Sequence, residues 1–170
     1  MTKLIMLRGP SAVGKSTVAG ELMRRTKRPT VLIDLDYYRF GFVNWEKAPA
    51  CGSEDELGPE YEMSGGDVLI GLRRGYDVIF DGNFTSDPHD PFLKMLFDAH
   101  PDDNYLFYMD ASLEETLKRH KTKENARINT DKMREVYKYA SPVGLEKEVI
   151  IPQDSSLEET VERIRQVAGI

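Results

Sequence analysis

The sequence predicts a three-layer α/β domain, in which a mostly parallel sheet of five strands lies between helices. Two observations support this prediction. Short unbroken apolar runs alternate along the chain with amphipathic stretches. The runs also lack a polar residue at every second position, which is typical of strands buried on both faces. Strands that alternate with helices are joined by crossover connections, and such connections favour a parallel sheet.

The predicted strands are short and rich in Val, Ile, Leu, Phe and Tyr, and they cover residues 3–8, 30–34, 76–81, 104–110 and 147–152. After the first run, the stretch GKSTVAGELMRR places Val18 and Leu22 on one helix face. A further helix is predicted to begin at Thr130. Two others begin with a serine and a glutamate at capping-box spacing, Ser112 with Glu115 and Ser156 with Glu159.

Length and composition indicate one domain over residues 1–170, since 170 residues can bury a sizeable core. The stretch 45–66 is dense in Gly, Pro and acids, and we predict a loop or cap inserted there, on the acceptor side of the site. No apolar stretch approaches the length that spans a membrane. The single cysteine, Cys51, excludes an intrachain disulfide and favours a cytoplasmic location. A monomer and a homodimer both remain open.

The segment GPSAVGKST (9–17) fits the phosphate-binding loop pattern G-x-x-x-x-G-K-S. A buried strand is predicted to end just before it and a helix to begin at Lys15, which is the context that the motif requires. The glycines let successive backbone N–H groups converge on phosphate oxygens, and the helix dipole adds positive potential there. The predicted ATP-binding residues of the loop are Gly9, Ser11, Ala12, Val13, Gly14, Lys15, Ser16 and Thr17.

Two residues of the loop, together with a carboxylate from another strand, are predicted to contact the transferred phosphoryl group and Mg²⁺. Lys15 supplies a positive charge to the transferred phosphoryl group, and the Ser16 hydroxyl is a ligand for Mg²⁺. Asp81 ends the third apolar run, so it should lie at the same sheet edge and hold Mg²⁺ or its waters. Asn83 would then border the acceptor. The alternative is an ordinary Asp-Gly turn at the end of a strand.

The second apolar run also ends in acids. Asp34 and Asp36 flank Leu35, so an extended chain would point both carboxylates to one side. A carboxylate close to the γ-phosphate can accept a proton from an acceptor hydroxyl, and either aspartate could be this base. Arg39 follows Asp36 by three residues and could clamp an anionic or polar acceptor. The alternative is a surface Asp–Arg pair that contributes little.

Residues 117–127 carry five Lys and Arg residues against one acid. A basic run is often only a solvated helix face. Phosphoryl transfer, however, needs cations from outside the phosphate loop, and a closing segment can supply them. We therefore predict a basic lid over 118–130, with Arg119 and Arg127 as the arginines that close on the nucleotide.

Together these residues resemble the AAA-type P-loop kinases of the nucleoside monophosphate kinase group. The similarity is greatest to the small branch of polynucleotide 5′-kinase, zeta toxin and chloramphenicol phosphotransferase. It is carried by the loop at 9–17, the D-x-D-x-x-R pattern at 34–39, FDGNF at 80–84 and the basic segment 118–127. The resemblance implies the strand order 2-3-1-4-5 and a general base at Asp36. It also implies adenine contacts from Ile151, Pro152 and Gln153.

The expected activity is therefore ATP- and Mg²⁺-dependent phosphorylation of a small-molecule hydroxyl. Residues 46–62 carry six acids against Lys47, and the net charge of the chain is −6, which argues against a nucleic acid acceptor. An aromatic cluster precedes this segment and either packs in the core or lines a pocket for a neutral or cationic acceptor. Its members are Tyr37, Tyr38, Phe40, Phe42 and Trp45. The alternatives are a nucleotide-hydrolysing switch, although the N-K-x-D motif of GTPases is absent, and a nucleotide or polynucleotide 5′-kinase.

Overall fold

The computed structural model describes residues 1–41, 58–84, 86–87, 89–122 and 128–170. Over these residues the strands are β1 (Leu4–Arg8), β2 (Thr30–Asp34), β3 (Asp77–Asp81), β4 (Asn104–Met109) and β5 (Glu148–Ile151). The helices are α1 (Lys15–Arg25), α2 (Leu35–Gly41), α3 (Pro59–Arg73), α4 (Pro91–Ala99), α5 (Leu113–Lys121), α6 (Thr130–Tyr137) and α7 (Leu157–Ala168). Within the described ranges, no helix combines the length and apolar composition that crossing a bilayer requires.

All strand pairs are parallel and the sheet order is β2-β3-β1-β4-β5, so the predicted fold class and strand order are confirmed. Alternate residues of β1 enter two different cores. Leu4 and Met6 pack with α3 and α4, whereas Ile5 and Leu7 pack with α1 and α7. The absence of polar alternation in the first apolar run follows from this burial on both faces.

The two edge strands depart from the predicted burial on both faces. Strands β1 and β3 are buried at every position, but Leu32 of β2 is 37% exposed and Ile150 of β5 is 46% exposed. An edge strand has a neighbour on one side only, so its apolar residues remain partly accessible to solvent. An apolar run in the sequence indicates a strand but does not give its place in the sheet.

The predicted serine caps begin their helices. Ser156 and Glu159 form the complete capping box of α7, in which each side chain bonds the backbone of the other residue. Ser112 accepts from the backbone of Glu115 at the start of α5. The Glu115 carboxylate instead bonds Arg119, so this second box is only half formed.

Helix α3 begins inside the segment that we expected to be a loop or cap. Pro59 stands in its first turn, where proline lacks only an N–H group that has no helical partner, and Glu60 and Glu62 suit the positive helix end. A Cβ at Gly65 would lie 2.9 Å from the Phe92 ring, so this glycine permits close packing against α4. Residues 59–66 are therefore helical, and 45–57 lie outside the described residues.

Candidate active site

The carboxyl ends of β1, β2 and β3 lie side by side and define the site. Asp81 is in register with Leu7 of β1 on one side and with Asp34 of β2 on the other. The phosphate loop follows β1 directly. The parallel sheet therefore brings residues from three separate parts of the sequence to one edge, as the sequence predicts.

The backbone of the phosphate loop is curled by residues with positive φ. Gly9 has φ 140°, Ala12 has φ 64° and Gly14, the N-cap of α1, has φ 109°. A Cβ at Gly9 would lie 2.3 Å from the carbonyl oxygen of Met109, so only glycine fits there. The first four N–H groups of a helix have no intrahelical partner. The curl and the start of α1 together form the geometry of an anion-binding nest.

The side chains of the loop also suit the binding of an anion. The Lys15 ammonium donates to the carbonyl oxygens of Gly9 and Pro10, at 3.0 and 3.1 Å, and so lies across the curve of the loop. Ser16 and Thr17 are exposed. In contrast, Val13 is buried and packs in the core against α1 and α7, so it is the apolar anchor of the loop.

Asp81 is a buried carboxylate, only 3% exposed. Burial raises its pKa, whereas the positive charge of Lys15 and a hydrogen bond from Ser16 lower it. The carboxylates of Asp34 and Asp36 raise the pKa of Asp81 further. A carboxylate that is desolvated and surrounded by like charges favours the approach of a cation.

The pair formed by Ser16 and Asp81 fits a magnesium ion. Hydroxyl and carboxylate oxygens are the hard ligands that Mg²⁺ prefers, and it commonly takes one or two protein ligands with water and phosphate. Among the described residues, no group of three or more His, Cys, Asp and Glu side chains could hold a metal by itself. An ion held by Ser16 and Asp81 would take its remaining ligands from water or from phosphate oxygens.

Asp34 and Asp36 are arranged differently from the prediction. Asp34 ends β2, but α2 begins at Leu35, so the extended chain expected through Asp36 is wrong. The cause is a local bond, because the Asp36 N–H donates to Asp34 Oδ1 at 2.9 Å in the manner of an N-cap. Asp36 stands in the first turn of α2, and Arg39 lies one turn later on the same face.

Arg39 contacts the start of α3. Its Nη2 donates to the Tyr61 hydroxyl at 3.0 Å, and its guanidinium lies 5.8 Å from the centroid of that ring. Its Nε is 3.9 Å from Glu60 Oε1. Both partners belong to the acidic segment that we predicted on the acceptor side, although the sequence did not single them out.

Arg119 reaches the phosphate loop from α5. Its Nη1 donates to the Val13 carbonyl at 2.9 Å, and its Nε donates to Glu115 at 2.8 Å. The segment predicted as a lid thus begins with the last turns of a helix, and one of its two predicted arginines rests on the loop. The other, Arg127, lies outside the described residues.

The remaining predicted residues lie at two places on the same edge. Asn83 is half-buried, two residues after β3, and Pro152 is exposed directly after β5. Gln153 Oε1 accepts from the Ser112 N–H at 2.6 Å and so ties the loop after β5 to the start of α5. A cavity of about 480 Å³ opens beside this bond. It is lined by Ser112, Glu114, Glu115, Leu117, Lys118, Lys121 and Gln153.

Arg8 is a residue of the site region that sequence reasoning missed. The side chain is 1% exposed and stands directly before Gly9. Its Nη1 bonds Glu148 at 3.0 Å and the Ser141 carbonyl at 2.8 Å, and its Nη2 bonds the Phe84 carbonyl at 3.3 Å. The sequence offered one signal for this role, since Arg8 is a charged residue at the end of a predicted buried strand. The guanidinium joins β1 to the segments that follow β3 and α6.

Comparison with known families gives one match, to the model described as AAA domain, over residues 4–141. The match covers more than half of the chain, from β1 through the phosphate loop and the three aspartates to the end of α6. Among curated proteins, none has a sequence that matches this chain.

Many solved structures share the fold. A sugar kinase from Janibacter, solved without ligand, has a TM-score of 0.78 and 13% identity, covering 100% of this chain and 96% of its own. An APS kinase from Mycobacterium tuberculosis, in complex with AMPPNP and APS, has a TM-score of 0.70 and 18% identity, covering 99% and 98%. A gluconokinase from Sinorhizobium meliloti has a TM-score of 0.68 and 13% identity, covering 99% and 91%. At these identities the similarity concerns the fold.

Proposed function

The chain belongs to the AAA domain family, and we propose that it is a kinase that transfers the γ-phosphoryl group of ATP to a hydroxyl of a small neutral or cationic acceptor. One observation carries this proposal. A phosphate loop and the aspartates at positions 34, 36 and 81 meet at one edge of the sheet. Three similar structures are named as kinases for a sugar, for gluconate and for APS, which supports the same class of reaction.

In the proposed reaction the chain orients and neutralises the nucleotide. The N–H groups of the loop and the Lys15 ammonium bind the β- and γ-phosphates. Ser16 and Asp81 would hold Mg²⁺, which supplies charge neutralisation on the phosphates when bound. Arg119 fixes one wall of the loop through the Val13 carbonyl.

Asp36 is the proposed general base. It accepts the proton of the acceptor hydroxyl, the hydroxyl oxygen bonds to the γ-phosphorus, and the bond from that phosphorus to the β–γ bridging oxygen breaks. ADP leaves with the electron pair of that bond. Asp34 is the weaker candidate, because one of its oxygens already accepts from the Asp36 N–H. We assign Asp34 the positioning of Asp36.

The charge of the site supports an acceptor that is not anionic. Asp34 at the end of β2, Asp36 of α2 and Glu60 of α3 are the acids on the proposed acceptor side. Arg39 is the single cation among the described residues of α2 and of the first turn of α3. Such a surface repels phosphate and carboxylate groups. Neutral sugars, nucleosides and amino-containing hydroxyl compounds meet no such barrier.

The test is ADP release across a panel of neutral, cationic and anionic hydroxyl compounds, including oligonucleotides with a 5′-hydroxyl. The Asp36→Asn variant should keep its affinity for mant-ATP but lose transfer by about two to four orders of magnitude. Asp102→Asn, an exposed change at the opposite edge of the sheet, is the matched control. Hydrolysis that no acceptor stimulates would favour a switch or an ATPase, and activity confined to oligonucleotide ends would favour a polynucleotide kinase.

A further inference from the structure

Arg39 is positioned to meet the acceptor. Asp36 and Arg39 lie on one face of α2, three residues apart, and both are half-buried. The Arg39 side chain is 34% exposed, so part of the guanidinium remains open to a ligand. An acceptor whose hydroxyl lies against Asp36 therefore presents its neighbouring groups to Arg39.

The charge of Arg39 is already opposed by a carboxylate. Glu60 Oε1 lies 3.9 Å from Arg39 Nε, and the Glu60 side chain is 24% exposed. Tyr61 holds the other end of the guanidinium through its hydroxyl, at 3.0 Å from Nη2. Because both contacts come from the first turn of α3, the packing of α2 on α3 fixes the ion pair in the site.

The Glu60 carboxylate lies close to Gly58, the residue before α3. A Cβ at Gly58 would lie 2.8 Å from Glu60 Oε2, so the carboxylate folds back over the glycine that precedes α3. A larger residue at 58 would displace it. Glu62 belongs to the same helical turn but is exposed, and it makes no ion pair with Arg39 in the described part of the chain.

Two consequences for binding follow from this arrangement. An anionic group on the acceptor would have to displace Glu60 from Arg39, and it would meet the repulsion of Glu60 and Asp36 as it approached. An uncharged hydroxyl can accept an N–H bond from Arg39 while the ion pair stays intact. The same guanidinium without Glu60 would be a site for carboxylate, phosphate or sulfate.

We propose that Glu60 determines the acceptor class by neutralising Arg39, so that the site takes uncharged polyhydroxyl compounds. Acceptors with a carboxylate, phosphate or sulfate next to the reacting hydroxyl are rejected. The inference rests on the proposed function, since it assumes that the acceptor lies between Asp36 and Arg39. It goes further by naming the residue that discriminates and the direction of the discrimination.

The experiment measures anion binding to protein whose phosphate loop is already filled with Mg·AMPPNP. Sodium sulfate is the probe, titrated at constant ionic strength, and isothermal titration calorimetry measures its affinity in every variant, including the one without Arg39. Glu60→Gln keeps the shape of the side chain and removes its charge. It should bind sulfate at least about tenfold more tightly than the natural sequence, since one repelling charge beside the site is lost.

The control variants separate this effect from general changes of charge. Glu62→Gln removes the same charge one residue beyond Tyr61 and should bind sulfate as the natural sequence does. Arg39→Gln added to Glu60→Gln should abolish the gain. Equal sulfate affinity in the natural sequence and Glu60→Gln would overturn the proposal, and so would a gain that survives Arg39→Gln. A chain that fails to bind Mg·AMPPNP contradicts the proposed function instead, and the two failures are therefore distinguishable.

Discussion

The buried pair of Arg8 and Glu148 gives the sharpest prediction about stability. Their side chains are 1% and 2% exposed and lie 3.0 Å apart. The Glu148→Gln substitution preserves the size of the side chain, but its single amide oxygen can replace only one of two accepting oxygens, Oε1 towards Arg8 at 3.0 Å or Oε2 towards the Gly144 N–H at 2.8 Å. It therefore removes the negative charge beside Arg8 and one of these two hydrogen bonds.

The cost follows from the desolvation of the guanidinium. Removing one partner of a buried ion pair costs about 3 to 5 kcal/mol, because the other charge stays buried without its counter-charge. Arg8 also donates to neutral acceptors, the carbonyl oxygens of Ser141 and Phe84. They continue to solvate the cation, so we expect a loss near the lower limit, about 3 kcal/mol. That is a large part of the about 5 to 15 kcal/mol by which domains are stable.

Urea unfolding followed by circular dichroism measures this loss. With a slope of about 2 kcal/mol per molar urea, the midpoint of Glu148→Gln should fall by about 1.5 M. Glu62→Gln, an exposed change of the same kind, should stay within about 0.5 kcal/mol of the natural sequence. A loss below about 1 kcal/mol in Glu148→Gln would refute the reasoning.

A double substitution tests the same argument from the other side. Arg8→Met with Glu148→Leu removes both charges and should be more stable than Glu148→Gln alone, because no ion remains buried. It should not reach the stability of the natural sequence, since the carbonyl oxygens of Ser141 and Phe84 lose their donor.

Three further outcomes are expected. Gly9→Ala should unfold at a clearly lower temperature and lose mant-ATP binding, because residue 9 has a positive φ and an added Cβ would lie 2.3 Å from the Met109 carbonyl oxygen. Binding within twofold of the natural sequence would contradict this. Asp81→Asn should raise the melting temperature of the nucleotide-free protein at pH 8 more than at pH 5. Burial raises the pKa of Asp81, so its contribution to stability is present at low pH and is lost as pH rises through the folded pKa. The same variant should lose magnesium-dependent ATP affinity. Arg119→Ala should weaken mant-ATP binding through loss of the Val13 contact, whereas Arg119→Lys should recover part of it; unchanged affinity in the alanine variant would exclude a role in supporting the loop.

Local patterns were enough to predict most of the fold. The apolar runs gave all five strands, and the serine caps gave the starts of α5 and α7. The phosphate loop was identified from its residue spacing, which places glycine at two of the three loop positions with positive φ, Gly9 and Gly14. The strand order came from the resemblance to a kinase family, and the sheet confirms it.

Local patterns failed where short segments had two plausible conformations. Asp34 and Asp36 fit the end of an extended strand, but the bond from the Asp36 N–H to Asp34 starts a helix there. The composition of 59–66 is that of a loop, yet these residues form the start of α3, where Gly65 packs closely against Phe92 of α4. In both cases the pattern of apolar and polar residues did not distinguish the two conformations, whose intrinsic preferences are similar.

The sequence by itself therefore determined the strands, the phosphate loop and the acids that follow the strands, because each depends on residues within one turn or one strand. Only the tertiary structure decided which charges meet. Arg8 and Glu148 are 140 positions apart, and Arg119 is 106 positions from Val13. The packing of α2 against α3 brings Arg39 close to Glu60. The buried Arg8 guanidinium requires a partner, and in all three pairs the packing of the elements determines which partner lies within reach.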